Sequence, residues 1–315
     1  MKNINFVKNN KYFFIFTIVC VVLGIACMLI RGFNVDTDFA GGTNMHIRIH
    51  EGTELTVAEL DEIREVVEPI IGGKVASIQK TGGGGDVMIK TKELSSEVRE
   101  AVFAALSEKY GLTDEALQSV TNVGASMSAD LRRSAITSTA IAVALMLCYI
   151  AFRFQVTSAL AAVTCLVHDL FFMLAAYSLL QIPMQSTMIA ALLTILGYSI
   201  NATIIIFDNI REARKAEDKP DDETIVNNSI RSTMTRSINT TLTTLFTIGM
   251  VYLFGVESIK DFALPLIIGI FAGLYSSVCL AGNVWLVYNK HLGKYLPQKS
   301  KKEPRRIEQD RNGVV

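Results

Sequence analysis

Residues 184–212 combine the length of a membrane-spanning helix with polar side chains inside it, and Asp208 and Arg211 follow within the same segment. The polar side chains in the span are Tyr198, Ser199, Asn201 and Thr203. A helix that only anchors a protein would be apolar to its end. Polar groups at membrane depth are costly, so they usually face the interior of a helix bundle or a wet path. The segment therefore indicates a function carried out inside a membrane.

The composition agrees with a membrane protein. Half of the residues are hydrophobic and 19% are charged, whereas soluble domains usually carry about 25% charged residues. The formal net charge is zero, so nothing indicates nucleic-acid binding. All five cysteines lie in apolar stretches, which indicates buried thiols and no disulfide framework.

Six apolar stretches are candidates for membrane helices, each of which needs roughly 20 residues to cross a bilayer. They are Tyr12–Ile30, Ser134–Phe152, Ser158–Leu180, Met184–Phe207, Thr240–Phe254 and Phe262–Tyr288. The fifth is short unless the polar residues 237–244 also enter the membrane. The first differs from a cleaved signal peptide because its apolar run is long and no A-x-A site follows before Arg31. The sequence therefore predicts a polytopic α-helical membrane protein with six transmembrane helices.

Lysine and arginine residues set the predicted orientation, because they are enriched in cytoplasmic loops. With the N-terminus inside, the short outer loops hold only Lys260, and the other basic loop residues lie in the inner segments. We therefore expect a multi-pass protein of the plasma (inner) membrane with both termini cytoplasmic. The predicted divisions are 1–31 (N-terminus and first helix), 32–132 (extracytoplasmic domain), 133–288 (five-helix bundle with a cytoplasmic loop at 208–236) and 289–315 (basic tail).

The basic tail is charged and poor in apolar residues, so we expect it to be disordered after Pro297. Its charge fits a cytoplasmic position. The alternative is that the tail binds anionic membrane lipid or ribosomal RNA. We prefer the interpretation that the charge only reflects a cytoplasmic position.

Residues 32–132 have the pattern of a small α+β domain. Predicted strands cover Met45–Ile49, Val75–Gln79, Val87–Lys90 and Leu117–Val123, with a flexible turn at Gly82–Gly85. One predicted helix begins at a capping box of Thr56 and Glu59 and runs through Pro69. The other begins at Ser95 or Ser96 and runs to Tyr110. The order βαββαβ predicts a ferredoxin-like extracytoplasmic domain between the first and second transmembrane helices.

This domain contains two histidines, His46 and His50, on one side of the first strand. A metal site would need further ligands nearby, so solvated histidines are the better interpretation. No metal site and no catalytic constellation are predicted there.

Four segments carry short motifs in a distinctive order. They are DTDFAGGT at Asp36–Thr43, VHDL at Val167–Leu170, GYSIN at Gly197–Asn201 continuing to FDNIRE at Phe207–Glu212, and RSINTTLTT at Arg236–Thr244. In the same order they resemble the DFxGGT, HD, GYSINDT…FDRIRE and RTINTSLTT motifs of the SecD/SecF export proteins. One helix, an outer domain and five helices also resemble half of a transporter of the RND superfamily.

The resemblance implies a SecF-type subunit, which is not an enzyme. Such a subunit pairs with SecD, whose helices supply the other half. The pair assists the SecYEG channel and uses a proton or Na⁺ gradient to pull or release exported unfolded polypeptides. No cofactor is implied, and the sequence has no P-loop.

Three other functions are possible from the sequence. The main alternative is a stand-alone RND-like exporter of lipids or small molecules, although the outer domain is small for a substrate cavity. A second is an intramembrane hydrolase, but no GxSxG element is present, and His168 and Asp169 diverge by about 100° on a helix. A third is a scaffold that stabilises the translocon without ion transport.

The chain departs from the family motif at Ala202, where the family has an aspartate that is interpreted as a proton carrier. That aspartate works with an arginine that corresponds to Arg236. An alanine cannot titrate, so three accounts remain. SecD carries the proton alone, or Na⁺ binds to oxygens of Asn201, Ser199 and Thr203, or Asp169 takes part.

Each candidate residue also has a structural interpretation. Arg236 could extend to the membrane surface at the cytoplasmic end of its helix and only help to set the orientation. Asp169 could hydrogen-bond a neighbouring helix. Asn201 and Thr203 could hold helices together. Asp208 and Arg211 are expected to form an interfacial salt bridge. The other motif residues, Asp38, Gly41, Gly42 and Tyr198, are assigned a structural role. A hinge at Gly41 and Gly42, which would let the outer domain move, is a further hypothesis.

Overall fold

The computed structural model describes residues 5–52, 55–75, 77–81, 85–216 and 221–292. Its elements in chain order are α1 (Asn10–Arg31), α2 (Thr37–Ala40), β1 (Gly42–Arg48), α3 (Val57–Ile71), β2 (Ser77–Thr81), β3 (Asp86–Thr91), α4 (Ser96–Tyr110), a 3₁₀ turn (Asp114–Ala116), β4 (Leu117–Val123), α5 (Ala125–Arg153), α6 (Val156–Leu180), α7 (Thr187–Ala216), α8 (Asp222–Phe254), α9 (Glu257–Tyr275), a π-helical turn (Ser276–Ala281) and α10 (Gly282–Leu292). The tail after Leu292, the turn residues 82–84 and loop residues 217–220 lie outside the described residues.

Six helical spans are long and apolar enough to cross a membrane within the described part of the chain, as predicted. They are α1, α5, α6, α7, α8 and the continuous run of α9, the π-helical turn and α10. The fifth span is 33 residues long, because the polar residues before Thr240 are helical too. The second begins at Ala125 rather than near Ser134. Its largely polar first turns are helical, and α5 packs against α2.

The α+β domain (residues 42–123) has a four-stranded antiparallel sheet in the order β2-β3-β1-β4. With α3 and α4 packed together, this confirms the predicted ferredoxin-like arrangement. Strand β4 has the predicted bounds, and α4 begins after the cap Ser95 and ends before Gly111. The fully buried side chains in the core of the α+β domain include Ile47, Ile63, Val67, Val87, Ile89, Val102 and Leu106.

The capping box at the start of α3 is present. The hydroxyl of Thr56 accepts a hydrogen bond from the Glu59 backbone, and a Glu59 carboxylate oxygen accepts from the Thr56 backbone N–H at 2.7 Å. The second carboxylate oxygen lies 3.0 Å from His50 Nε2. The Thr56 backbone N–H is the main cause that lowers the pKa of Glu59 from 4.5 to about 2, followed by the Thr56 hydroxyl and His50.

Because the folded pKa of Glu59 lies below its ordinary value, the box stabilises α3 fully above pH 4.5 and is lost as the pH falls towards 2. We expect Glu59→Gln to remove this acid dependence, and Thr56→Ala to cost about 1 kcal/mol at neutral pH. Hydrogen exchange of the α3 amides at several pH values measures both effects. Glu65→Gln, at an exposed position of the same helix, is the control. Unchanged acid dependence in Glu59→Gln would contradict the assignment.

The connection between α1 and the α+β domain is tied to the loop between α6 and α7. Val35 and Met184 form an isolated parallel β-bridge, and the Met184 N–H donates to the Asn34 carbonyl at 2.9 Å. The Ser186 N–H donates to a carboxylate oxygen of Asp38 at 2.8 Å. The predicted motif residue Asp38 therefore attaches this connection to the start of α7.

A buried ion pair joins the same connection to the sheet. Lys90 Nζ of β3 lies 2.6 Å from Asp36 Oδ2, and both side chains are nearly inaccessible to solvent. Asp36 also caps α2 by accepting from the Thr37 N–H at 2.7 Å. A third attachment is Asp261 of α9, which accepts from Gln79 of β2 and from Gln185 before α7. These contacts hold the sheet and its connecting segment to the start of α7 and to α9.

The described N-terminal segment is inserted among the last helices. The Phe6 N–H donates to Asn227 Oδ1 of α8 at 2.9 Å, and Asn283 Nδ2 of α10 donates to the Phe6 carbonyl at 3.3 Å. Phe6 and Val7 are buried in the core of the bundle, where Phe6 stacks with Phe13.

Candidate functional site

A carboxylate lies at the centre of the helix bundle. Asp169 of α6 has no exposed surface. Its Oδ2 accepts hydrogen bonds from the hydroxyls of Ser199 on α7 and Ser276 on the π-helical turn, the second at 2.8 Å. Its Oδ1 lies 2.9 Å from Nδ1 of His168. Three separate segments of the chain therefore meet at one acidic side chain.

Close packing of α7 against α9 makes this meeting possible. A Cβ at Gly273 would lie 3.2 Å from the Cβ of Ser199, and a Cβ at Gly269 would overlap the side chain of Ile195. Small residues let membrane helices approach closely. The π-helical turn that begins at Ser276 is a geometry that is rare in helices and frequent at functional sites.

His168 lies beside the carboxylate in a largely aromatic environment. Its ring centroid is 4.4 Å from that of Phe172 and 5.9 Å from that of Tyr275. The hydroxyl of Tyr275 is directed elsewhere, since it donates to the Phe13 carbonyl of α1 and lies 3.1 Å from the Thr17 hydroxyl. The His168 Nε2 atom is buried and has no hydrogen-bond partner among the described residues.

The three residues proposed as Na⁺ ligands do not face one cavity. Ser199 and Thr203 are buried on one face of α7, and Thr203 lies 3.1 Å from the Ser277 hydroxyl. Asn201 is exposed on the opposite face. It follows Ser199 by two positions, and residues i and i+2 of a helix point about 200° apart. We assign no metal ion to this set. Among the described residues, no group of three or more His, Cys, Asp or Glu could hold one.

Small and polar side chains form a second set on the surface of the bundle. The α7 stripe consists of the exposed residues Ala190, Thr194, Gly197, Asn201 and Asp208. The α8 stripe consists of the exposed residues Arg236, Thr240, Thr243 and Thr247. Each set follows one face of its helix, and the two helices pack against each other. The stripe threonines donate to backbone carbonyls of their own helices, so their oxygens can still accept hydrogen bonds.

The remaining motif residues have local contacts. The Tyr198 hydroxyl donates to Thr241 of α8 at 3.0 Å. Asp208 lies 3.6 Å from Arg211 and 3.5 Å from Arg153, which joins α7 to the end of α5. Arg236 is exposed and Asp169 is fully buried, so the structure does not bring these two candidates together. Ala202 is partly buried.

Sequence reasoning missed Ser276 and Ser277. They lie in an otherwise apolar span, and nothing in the local pattern distinguishes them from small packing residues. It also missed Asp36 and Lys90 as a buried pair. The separation of Asn201 from Ser199 and Thr203 could have been found from the helical period alone.

Comparison with known proteins places these features in a family. The family described as "Protein export membrane protein SecD/SecF, C-terminal" matches residues 102–291. The protein translocase subunit SecF of Acidaminococcus fermentans is 38% identical over 300 residues, which is 93% of this chain and 99% of that protein. SecF of Helicobacter pylori (strain J99) is 31% identical over 95% of this chain and 91% of its own length.

SecDF proteins match over part of their length. The protein translocase subunit SecDF of Bacillus subtilis is 34% identical over 90% of this chain and 38% of its own. The crystal structure of SecDF, a translocon-associated membrane protein from Thermus thermophilus, has a TM-score of 0.79 at 31% identity. That match covers 91% of this chain and 39% of the Thermus chain. From these matches and its six membrane helices, we conclude that the chain is a multi-pass membrane protein of the SecF family of SecD/SecF protein-export proteins.

Proposed function

We propose that this chain is the SecF subunit of the Sec export machinery, that it pairs with SecD, and that the pair uses a proton or Na⁺ gradient to assist late translocation of unfolded chains through SecYEG. The membrane is the plasma (inner) membrane, both termini are cytoplasmic, and the α+β domain faces the exported chain outside. The name of the Thermus relative, a translocon-associated protein, supports the link to the channel.

The observation that carries the pairing is the exposure of the α7 and α8 stripes. Small and polar side chains are poor partners for lipid tails, and they are the side chains that membrane helices use to contact one another. In the SecDF relatives the matching region is joined to a longer remainder of the same chain. We propose that SecD covers both stripes here, and that membrane lipid contacts the apolar surfaces.

Purification from the native membrane in mild detergent tests the pairing. We expect a larger protein with its own outer domain and membrane helices to be recovered with this chain. Asn201→Leu with Thr243→Leu, one substitution in each stripe, should reduce that recovery. Leu145→Ala, at an exposed apolar position on α5, is the matched control. Recovery of this chain alone as a homodimer would reject the pairing and favour the stand-alone exporter.

Arg236 is the residue of the α8 stripe that we expect to matter most for ion coupling. Its side chain is exposed on α8, and a charge beside an apolar span is costly unless a partner compensates it. Because Ala202 cannot titrate, we propose that the matching acidic group belongs to SecD.

We expect Arg236→Ala to reduce export to the level measured without an ion gradient, and to lower recovery with SecD less than Asn201→Leu with Thr243→Leu does, because the other residues of both stripes remain. Export into inverted membrane vesicles, with the proton and Na⁺ gradients imposed separately, measures both the loss and the ion. Arg236→Lys keeps the charge but loses the planar guanidinium. Arg211→Ala removes a charge that has a local partner, so it is the control. Normal export in Arg236→Ala would remove this residue from the mechanism.

A further inference from the structure

We propose that a phospholipid with a negatively charged headgroup binds in the groove between α5 and α7, with one acyl chain along the groove and its phosphate at Arg132 and Arg133. The site lies apart from the two stripes that we assign to SecD and from the contacts of Asp169. It goes beyond the proposed function, and only the leaflet in which the lipid lies rests on the proposed orientation.

The groove is apolar and lies at the surface of the bundle. It has a volume of about 620 Å³, which is within the range of ligand pockets, roughly 300–1,000 Å³. Small side chains such as Ala140 and Ala144 line it on α5, and Met188 and Leu192 line it on α7. Small residues usually let membrane helices approach closely, but no described residue fills the space beside these alanines. An apolar chain is the ligand that such a lining accepts.

The length and depth of the groove match one acyl chain. Its α5 lining runs from Ala135 to Leu147, a rise of about 18 Å. The hydrocarbon core of a bilayer is roughly 30 Å thick, so one leaflet provides about 15 Å. Arg133 and Arg153 are separated by about 30 Å along α5, which places them at opposite surfaces of that core. The groove therefore begins at the level of the headgroups and ends near the centre of the bilayer.

Two adjacent arginines lie at the headgroup end of the groove. Arg132 and Arg133 precede the lining residue Ile136 by four and three positions, so they lie on the same face of α5. Both are exposed, and within the described part of the chain neither guanidinium group has an ion pair or hydrogen bond, even with Asp130 nearby on α5. Guanidinium groups bind phosphate oxygens through paired hydrogen bonds.

Membrane topology does not explain this arginine pair. Positive charge is enriched on the cytoplasmic side of membrane proteins, whereas the pair lies at the end of α5 that follows the α+β domain. In the proposed orientation that end is outside. Two unpaired charges beside an apolar groove at this level are explained by the phosphate of a lipid whose acyl chain occupies the groove.

The direction of the groove separates it from the α7 stripe. Met188 and Leu192 are each two positions from Ala190 of that stripe, and residues two positions apart on a helix point about 200° apart. The groove and the stripe therefore lie on opposite sides of α7. A helix of SecD that packs on the stripe does not cover the groove, so membrane lipid is the occupant that reaches it.

Native mass spectrometry of the chain with SecD, released from lipid nanodiscs, tests the preference for a charged headgroup. The nanodiscs contain equal amounts of anionic phosphatidylglycerol and uncharged phosphatidylcholine with the same acyl chains. We expect retained phosphatidylglycerol to exceed phosphatidylcholine by at least about fivefold, the effect of one arginine near a membrane surface. Arg132→Gln with Arg133→Gln should remove the preference. Arg31→Gln is the control, because Arg31 donates to the Leu179 carbonyl at the end of α1.

Photocross-linking locates the acyl chain. Phosphatidylglycerol with a diazirine in one acyl chain should label residues 135–147 of α5 and the first turns of α7. Ala140→Phe with Ala144→Phe fills the groove at two exposed positions and should reduce this labelling several-fold. Leu145→Phe, at an exposed position of α5 outside the lining, is the matched control and should leave the labelling unchanged.

Three results would overturn the proposal. They are equal retention of the two lipids by the parent, an unchanged preference in the double arginine variant, and unchanged labelling in the double phenylalanine variant. A photoreactive amino acid in place of Ala144 that cross-links to SecD rather than to lipid would also overturn it. None of these measurements needs export or an ion gradient. Failure to recover SecD would therefore reject the pairing, while lipid retention and labelling would still decide this site.

Discussion

Lys90→Ala is expected to lower the free energy of unfolding by about 3–5 kcal/mol, because it leaves the buried carboxylate of Asp36 without its partner charge. The two side chains are 6% and 4% exposed and their charged atoms lie 2.6 Å apart, so water cannot replace the lost ammonium group. Denaturant unfolding of the full chain in mild detergent measures the loss. The pair attaches the sheet to the connection from α1, so hydrogen exchange should increase first in β3 and α2.

Two controls separate this effect from a general loss of charge. Arg64→Ala breaks an exposed pair with Asp61 and should cost at most about 1 kcal/mol. Lys90→Met combined with Asp36→Asn removes both charges at similar volume and should restore most of the stability. If the double variant is as unstable as Lys90→Ala alone, then packing rather than the unpaired charge is the cause.

Gly42→Ala is expected to have the second large effect on folding. Gly42 has a φ of 151°, and a Cβ at this position would lie 2.2 Å from the Thr91 carbonyl oxygen and 2.9 Å from Thr37 Cγ2. The oxygen belongs to the backbone of β3, so it cannot move without breaking the sheet. Strain and overpacking together predict a loss of about 2–4 kcal/mol. The yield of folded protein and its denaturant midpoint in detergent measure it.

Gly73→Ala is the matched control, since no atom in the described part of the chain lies within 4 Å of a Cβ there. Gly41, with a φ of 81° and a nearest contact of 3.3 Å, is the less crowded glycine and the better test of the hinge hypothesis. Gly41→Val should stop export more than it lowers the folded yield if the hinge exists. Normal stability in Gly42→Ala would show that β3 can shift away from β1 at Thr91.

Local chemistry explains why much of the α+β domain could be predicted. The Thr56 and Glu59 capping box, the Ser95 cap and the Gly111 end are short-range signals, and each fixes a helix boundary without help from the rest of the chain. The start of α5 was harder, because polar residues alternate with apolar ones in 125–133, and the packing of α5 against α2 is not visible in the local pattern. The divisions of the chain at residues 31, 132 and 288 and the cytoplasmic position of its ends stay predictions.

The site was predicted in part, for a similar reason. Asp169 and Ser199 were candidates because polar residues inside an apolar span are conspicuous. Their contact with each other depends on how α6 crosses α7, and their contact with Ser276 depends on a π-helical turn. Neither is encoded in the pattern of one helix. A sequence pattern identifies polar residues at membrane depth, but helix crossings decide which of them meet.

The position of Phe6 has a consequence for the order of assembly during synthesis. Its backbone is held by Asn227 and by Asn283, which lies 277 residues later in the chain. The contact of the Phe6 carbonyl with Asn283 therefore forms only after the last helix has been synthesised, although α1 can already pack against α6. Contacts between such distant residues form late and leave apolar surface uncovered meanwhile. Truncation before Asn283 should then leave the amino-terminal segment accessible to protease, even in a product that retains all the preceding helices.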